Sequence, residues 1–538
     1  MLKWLLNRGG EPPFDPASLG TPWGDRPSVY SYVESRLDPS SGRLFAPHAE
    51  LPDEPSIADN ELRFSGGALD GISRHGLGNT SAQDAARVVY TQLLRTVERR
   101  DQRTFNVLHS YVLEHSALSY VDELNPLLAG SVEELGGDLA ALGRHLLKYA
   151  ADREVVKFAI NLVGVCGGVE DHSVLLTIGA HDEFTLFAVV ALGHTGGGQR
   201  SVWEMAKRVD GWGRIQCVER LDKETVDFDV RTWLLTEGYK NSVMTSYTAA
   251  ICARRGCLKE ALDSGVLDRT LIDGAAEILA ALARGNPGEG MEGYTESALA
   301  TERFLAIVEQ DESPSAHWLL AARDIERYVQ GASGKEVSGQ WTQEALERCA
   351  RGIDRIRARS VWRQVVAEWL ESNDDFRFNV AAEAAQYIGI DTWEHRFSRL
   401  VAGKEQWYWL LETTDSRRLD RVLEFASTAI DLKAVTTGYG DALGFGPSFV
   451  EHRKLDWILQ ALQRWPGRGR EFISAGFRSP VVRNRWGAVR AALRWAPEHR
   501  QPFLEVVRRL HRDEQKAELQ AALARLLSGE VDSLESSG

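Results

Sequence analysis

Histidine and carboxylate side chains gather in one part of the sequence, where they could bind a metal ion. They are His172, His181, Asp182 and His194. Imidazole nitrogens and carboxylate oxygens are ligands that iron and zinc take up in proteins. Asp182 and the following Glu183 also suit the first turn of a helix, where a carboxylate meets the positive end of the helix dipole. We therefore expect no cofactor, and metal-dependent catalysis is an alternative.

Arginines interleaved with tryptophans form a second candidate site, late in the sequence. Between residues 451 and 512 there are 14 Lys and Arg against 5 Asp and Glu, whereas the net charge of the whole chain is −14. Arg483, Arg490 and Arg494 are separated by 7 and 4 residues, which places them close to one face of a helix. Such a face could hold nucleic acid, or it could be solvated or paired with acidic residues of the chain.

A protein-binding surface is the third kind of site that these residue types suggest. Tryptophan, tyrosine and arginine dominate the energetics of protein interfaces. The net charge of −14 disfavours a chain-wide surface for nucleic acid or an anionic membrane. The side chains that we expect on a binding surface are Trp212, Arg214, Arg220, Trp407, Trp409, Arg478, Arg483, Arg485, Trp486 and Arg490.

Three loops carry weaker signals. The glycine-rich stretches 194–198 and 438–446 lack the Lys-Ser/Thr ending of a P-loop and the glycine spacing of a dinucleotide site, so we interpret them as turns between helices. In the loop 66–78, Asp70 and His75 could hold a substrate or a metal. Asp70 could equally cap a turn there.

The helices that would position these residues recur with a spacing of 29 residues between residues 155 and 285. Small residues occupy one position of this register, namely Ala159, Ala188, Cys217, Ser246 and Ala275. Mostly larger apolar residues follow one and four positions later, which gives each helix a face that a neighbour can approach closely. Self-similarity of this period predicts a stack of repeats, each with room for two short helices. The second helices are expected near 173–178, 200–209, 230–237 and 258–266.

The rest of the chain predicts four regions. Residues 1–80 are an irregular, Pro- and Gly-rich segment, whose apolar residues indicate packing on the helices. Residues 81–330 hold the helical repeats. After a linker-like stretch at 331–339, residues 341–528 form a second helical half that ends in basic helices. Residues 529–538 are expected to be a disordered tail.

Two stretches resemble the second helix of HEAT-like repeats, particularly the short repeats of bacterial proteins. They read HDEFTLFAVVALG at 181–193 and SPVVRNRWGAVRAAL at 479–493. The resemblance implies an all-α fold, an α-solenoid of helix pairs with an irregular N-terminal segment. HEAT-like hydroxylases hold two irons with His–Glu pairs at helix starts, and His181-Asp182 is the one clear counterpart here. HEAT-like DNA glycosylases hold DNA on a positive concave face, for which this chain would use its late arginines.

The favoured function follows from these observations. The longest apolar runs are too short for a membrane span or a signal peptide core. The five cysteines are sparse and odd in number, which does not suit a disulfide framework. We therefore expect a cytoplasmic protein. A curved solenoid surface commonly holds another macromolecule. We therefore expect a scaffold or adaptor that binds another protein without catalysis. The alternatives are a hydroxylase-like metal enzyme and a nucleic-acid binder using the basic C-terminal helices.

Overall fold

The small residues of the 29-residue register are all buried in helices of the computed structural model. The structure describes residues 13–45, 50–54, 81–221, 227–265, 267–332 and 340–530. Within these ranges, β-structure is confined to two isolated bridges, Leu37 with Leu44 and Ala442 with Val481. The described chain is therefore all-α, as predicted.

The helices up to residue 387 are short to medium in length and follow one another closely. In chain order they are α1 (Val29–Glu34), α2 (Ser81–Arg99), α3 (Gln102–Glu114), α4 (Val121–Ala129), α5 (Val132–Tyr149), α6 (Arg153–Cys166), α7 (His172–Ile178), α8 (Asp182–His194), α9 (Gly198–Arg208), α10 (Gly211–Arg220), α11 (Phe228–Trp233), α12 (Ser246–Arg255), α13 (Leu258–Asp263), α14 (Arg269–Arg284), α15 (Ser297–Gln310), α16 (Ala316–Ala332), α17 (Gln343–Ala358), α18 (Val361–Leu370) and α19 (Asp375–Tyr387).

The helices after residue 387 include the basic ones. They are α20 (Trp393–Val401), α21 (Trp407–Glu412), α22 (Ser416–Ala429), α23 (Val450–Leu462), α24 (Arg470–Phe477), α25 (Val482–Arg494), α26 (Pro497–Arg500), α27 (Leu504–Asp513) and α28 (Ala517–Ser528). Of the tail predicted at 529–538, residues 531–538 lie outside the described residues.

The register corresponds to a stack in which α6, α8, α10, α12 and α14 each pack against the next. The small residues at its key position are all buried. The approach between neighbours is close, because a Cβ atom at Gly164 of α6 would lie 2.8 Å from Cβ of Ala191 in α8. Helices α7, α9, α11 and α13 alternate with the stacked helices, near the positions predicted for the second helix of each repeat. The first part of the chain is therefore built from stacked helix pairs.

The irregular N-terminal residues that are described pack on this stack. Val29 and Val33 of α1 are buried, and α1 contacts α5 and α7. Arg26 donates two hydrogen bonds to the carboxylate of Asp152, with N–O distances of 2.5 and 2.7 Å. The loop that carries Asp70 and His75 lies outside the described residues.

The described chain divides into two compact units between Tyr387 and Ile388. This differs from the predicted division at residues 331–339. The reason is that α16, which ends at Ala332, packs against both α17 and α19, so these helices extend the first unit instead of opening the second. The predicted boundary therefore falls within the first unit, and residues 333–339 of the predicted linker lie outside the described residues.

The second unit has its own core and its own run of neighbouring helices. Its core includes Trp393, Phe472 and Trp495. Helices α21, α23 and α25 pack side by side in that order, and α24 covers α25. These three adjacent helices support the candidate site.

Candidate binding groove

An open groove of about 740 Å³ in the second unit brings together three of the predicted surface residues, Arg483, Trp486 and Arg490. Arg494 lines the same groove. All four side chains come from α25, so the spacing of 7 and 4 residues does place the three arginines on one side of this helix. The other lining residues come from α21, α23, two loops and α25 itself.

The floor of the groove is the contact between α23 and α25. Gly487 lies against Leu459, so that a Cβ at position 487 would be 3.0 Å from Cβ of that leucine. Because a glycine stands there, the two helices approach closely and the longer side chains on either side form the walls. Cross-contacts of Asp456 with Arg483 and of Gln463 with Arg494 show that the two helices run parallel.

Two of the four arginines in the groove are ion-paired within it. Nε of Arg483 lies 3.0 Å from Oδ2 of the buried Asp456, an ion pair rather than an aligned hydrogen bond. Burial raises the pKa of Asp456 above its ordinary value, although Arg483 opposes the shift. Arg464 donates to the carbonyl of Leu411 at 2.9 Å and lies 3.6 Å from the carboxylate of Glu412. These positive charges are therefore largely neutralised.

The other two arginines carry the net positive charge of the groove. Arg490 is exposed and lies over the half-buried ring of Trp486, with 5.3 Å between the guanidinium carbon and the ring centroid. Arg494 donates one hydrogen bond to the amide oxygen of Gln463 at 2.8 Å. In the described part of the chain neither arginine is ion-paired. Both guanidinium groups retain N–H donors for a ligand.

One end of the groove is apolar. Leu443 and Phe445, which belong to the glycine-rich loop 438–446, line it and are 43% and 42% exposed. The loop is held by backbone hydrogen bonds from Ala442 N to Pro480 O at 3.2 Å and from Val482 N to Ala442 O at 3.1 Å. The loop is therefore a wall of the groove and not only a turn between helices.

Arg485, predicted on the surface, is completely buried, and this prediction is wrong. Its Nε donates to Oε2 of Glu514 at 2.9 Å, and its Nη1 donates to the carbonyl oxygens of Gly440 at 2.6 Å and Ser479 at 3.0 Å. Both Arg485 and Glu514 are buried, so the guanidinium group joins α25 to the glycine-rich loop from beneath. Arg485 is thus a positioning residue for the groove wall.

The remaining predicted residues of the second unit lie outside the groove. Trp407 is buried in the core, stacked on Phe425, so its prediction as a surface residue is also wrong. Trp409 is 40% exposed and contacts Tyr408, but neither lines the groove. Arg478 is exposed and donates to its own helix, to Ser474 Oγ at 2.7 Å.

The residues predicted on a surface of the first unit serve mainly its internal contacts. Arg214 is buried and donates to the carbonyls of Val209 at 3.0 Å and Glu237 at 3.1 Å, so it is not a surface residue and that prediction is wrong. Arg220 bonds to a carbonyl of its own helix α10. Trp212 is partly buried and packs on Tyr247.

Three of the metal candidates are spread along α8 and its N-cap rather than gathered, and His172 begins α7. His181 and Asp182 are buried at its start, while His194 is exposed at its other end, about 18 Å away along a helix of this length. Nδ1 of His181 accepts a hydrogen bond from the backbone of Glu183, and His172 contacts Thr195 at 3.0 Å. In the described ranges, no three His, Cys, Asp or Glu side chains form a group that could hold a metal ion.

Asp182 is nonetheless an unusual carboxylate. Its burial, together with the nearby charges of Asp210 and Glu183, raises its pKa to about 7. This side chain therefore titrates near neutral pH inside the first unit.

A smaller groove of about 310 Å³ lies between α15 and α17 of the first unit. Its arginines are paired across it, Arg348 with Glu302 at 2.9 Å and Arg355 with Glu309 at 2.6 Å. These pairs join the two helices and leave little uncompensated charge. The groove of the second unit is therefore the better candidate site.

Sequence reasoning missed several groove residues. Asp456, Gln463 and Arg464 belong to α23 and its end, and Leu443 and Phe445 belong to the loop. No local signal marks these residues, because they meet α25 only through tertiary packing. Arg494 differs from them, because its spacing of four residues from Arg490 places both arginines on the same side of α25.

No described helix is both long and apolar enough to cross a membrane. No protein-family model matches the chain, and no curated protein matches it. Among solved structures, the chain is similar to an engineered protein determined by the Northeast Structural Genomics Consortium. The identity is 16%, the match covers 76% of this chain and 95% of that chain, and the TM-score is 0.20. At this TM-score the likeness carries no argument about fold or function.

Proposed function

We propose that this protein is a scaffold that binds another protein, and that the groove formed by α21, α23 and α25 is its binding site. One observation carries the proposal. Exposed Arg490 and the half-buried Trp486 stand beside exposed Leu443 and Phe445 on a concave surface. Arginine and tryptophan are the residue types that contribute most to binding at protein interfaces.

The helical stack supports this function through its geometry. The chain resembles HEAT-like repeat proteins, whose stacked helices present extended surfaces to macromolecular partners. Parallel, adjacent helices such as α23 and α25 make a groove whose floor is rigid, which lowers the entropy cost of binding. We also propose a cytoplasmic location, supported by five cysteines that are all free thiols.

Charge favours a protein over nucleic acid as the partner. Asp456 and Glu412 lie in the groove and neutralise two of its four arginines, and the whole chain has a net charge of −14. Nucleic-acid affinity depends on neutralising many phosphates in succession. Two remaining cations suit a short contact with an acidic side chain better than a long phosphate backbone.

The experiment that tests this proposal is photo-crosslinking inside the cells that produce the protein. A photoreactive amino acid replaces Gln460, an exposed residue that lines the groove. The matched control places it at Gln520, which is exposed on α28. We expect a protein adduct from position 460 that is absent from position 520. Adducts to nucleic acid only, no adduct, or equal adducts from both positions would overturn the proposal.

A further inference from the structure

The two ends of the groove differ in chemistry. At the start of α25, Val482 and Trp486 together with Leu443 and Phe445 form an apolar end. Towards the end of the same helix, Arg490 and Arg494 form a basic end. A ligand that fills the groove therefore meets apolar surface first and positive charge further along.

The net positive charge at the basic end comes from two guanidinium groups, those of Arg490 and Arg494. Arg483 is paired with Asp456, and Arg464 lies beside Glu412, so neither adds net charge. Residues four apart on a helix are neighbours, with about 5–6 Å between their Cβ atoms. Side chains two apart on an extended peptide are separated by about 6.6–6.8 Å and point the same way. Two carboxylates with one residue between them therefore match Arg490 and Arg494.

The distance between the apolar end and the basic end sets how many residues separate the apolar side chain of a ligand from its carboxylates. The guanidinium carbon of Arg490 lies 5.3 Å from the centroid of the Trp486 ring at the apolar end, and Arg494 lies about 6 Å further along the helix axis at 1.5 Å per residue. An extended peptide covers about 3.3 Å per residue. Because side chains on one face of an extended peptide recur every two residues, the first carboxylate should stand two residues, and the second four residues, from the apolar side chain.

We infer that the groove recognises an extended protein segment in which an apolar side chain is followed, two and four residues away, by acidic side chains. The apolar side chain packs against Trp486 and Phe445, and the carboxylates accept hydrogen bonds from Arg490 and Arg494. The spacing is the same for either chain direction. This inference rests on the proposed function and adds the chemistry of the partner segment.

The apolar end is already formed in the unbound chain. Buried Arg485 ties the loop carbonyl of Gly440 to Glu514, which fixes the loop that presents Leu443 and Phe445. A site whose walls are fixed before binding loses less conformational entropy when the ligand arrives. Arg485 therefore supports recognition without touching the ligand.

Fluorescence anisotropy with the full chain and labelled synthetic peptides tests the inference. The matched peptide is Ser-Ser-Ser-Phe-Gln-Glu-Gln-Glu-Ser-Ser, together with its reversed sequence. Comparison peptides replace both Glu by Gln, replace Phe by Ser, or keep the composition with Phe next to both Glu. We expect the better of the two matched directions to bind at least about tenfold more tightly than each comparison peptide, because tenfold corresponds to about 1.4 kcal/mol.

Variants of the full chain place the binding in the groove. Arg490→Glu with Arg494→Glu should remove the preference for the matched peptide. Arg508→Glu with Arg509→Glu makes the same change of charge on exposed residues of α27 and should leave the preference intact. Equal binding of all peptides, equal loss in both double variants, or tighter binding of a ten-residue oligothymidylate would each overturn the inference. If the peptide experiment overturns the inference but position 460 still crosslinks to a protein, the scaffold proposal stands. If position 460 forms no protein adduct, the scaffold proposal is wrong as well.

Discussion

At the scale of single residues, the sequence states the chemistry of each side chain. It does not determine whether that side chain is exposed or buried. Arg485 and Arg490 lie on the same helix, and the sequence gives both the same chemistry. Five residues of helix rotate a side chain by about 500°, which leaves the two about 140° apart. One therefore points into the unit beside Glu514, and the other into the groove. Deciding between them requires the neighbours of α25, which come from distant parts of the chain.

Asp182 gives a prediction at this scale, because its pKa lies far above that of an exposed aspartate. In the unfolded chain the carboxyl loses its proton near the ordinary value of 3.8, whereas in the folded chain it keeps the proton up to about 7. A raised folded pKa means that stability is lost as the pH rises between these two values. Between about pH 5 and pH 8 the loss should be roughly 2–3 kcal/mol.

Asp182→Asn removes this titration and should abolish that part of the pH dependence. Urea unfolding at both pH values measures the free energy of unfolding of the variant and of the unchanged chain. Asp122→Asn, at an exposed position of α4, controls for the loss of one charge. The explanation is wrong if the Asp182 variant and the unchanged chain lose stability in parallel as the pH rises.

At the scale of elements, the stack of helices was predictable because it depends on local pattern. Small residues at a fixed spacing, such as Ala159 and Ala188, are buried in the stacked helices as this pattern predicts. The loop 438–446 shows the limit of this reasoning. Its glycines indicate a turn, but its role as a groove wall depends on hydrogen bonds to residues 478–482, about 40 positions away, and on a buried arginine.

Two glycines allow the close packing of the stack to be measured. At Gly164 a Cβ would lie 2.8 Å from Cβ and 2.9 Å from Cα of Ala191, so Gly164→Ala should force α6 and α8 apart and cost about 1–3 kcal/mol. At Gly137, in the interior of α5, a Cβ would meet nothing within 4 Å. Gly137→Ala should therefore stabilise the chain by about 0.5–1 kcal/mol through helix propensity. Chemical unfolding measures both changes, and the same sign for both would contradict the packing described.

At the scale of the whole molecule, sequence composition misplaced the division of the chain. The Gly- and Ser-rich stretch 331–339 suggested a boundary, but α16 before it and α17 and α19 after it pack together. The division falls instead after Tyr387, where composition shows no break. Contacts between helices far apart in sequence determine a compact unit, and these are not visible in local composition.

Two units with separate cores should respond separately to destabilising changes. Arg485→Met leaves Glu514 buried without its partner and should cost about 3–5 kcal/mol in the second unit. Gly164→Ala acts in the first unit. In differential scanning calorimetry, we expect each variant to lower the temperature of a different transition. A single transition that both variants shift equally would show that the units unfold together.

The central claim is that the groove holds a partner protein through its uncompensated arginines. Its most direct test is the yield of the protein adduct formed from position 460 in the cell, compared between two double variants. Arg490→Glu with Arg494→Glu should reduce that yield at least about tenfold, because it replaces both free cations of the groove by anions. Arg508→Glu with Arg509→Glu, the same change of charge on α27, should leave the yield unchanged. An equal yield in the two variants would contradict the claim.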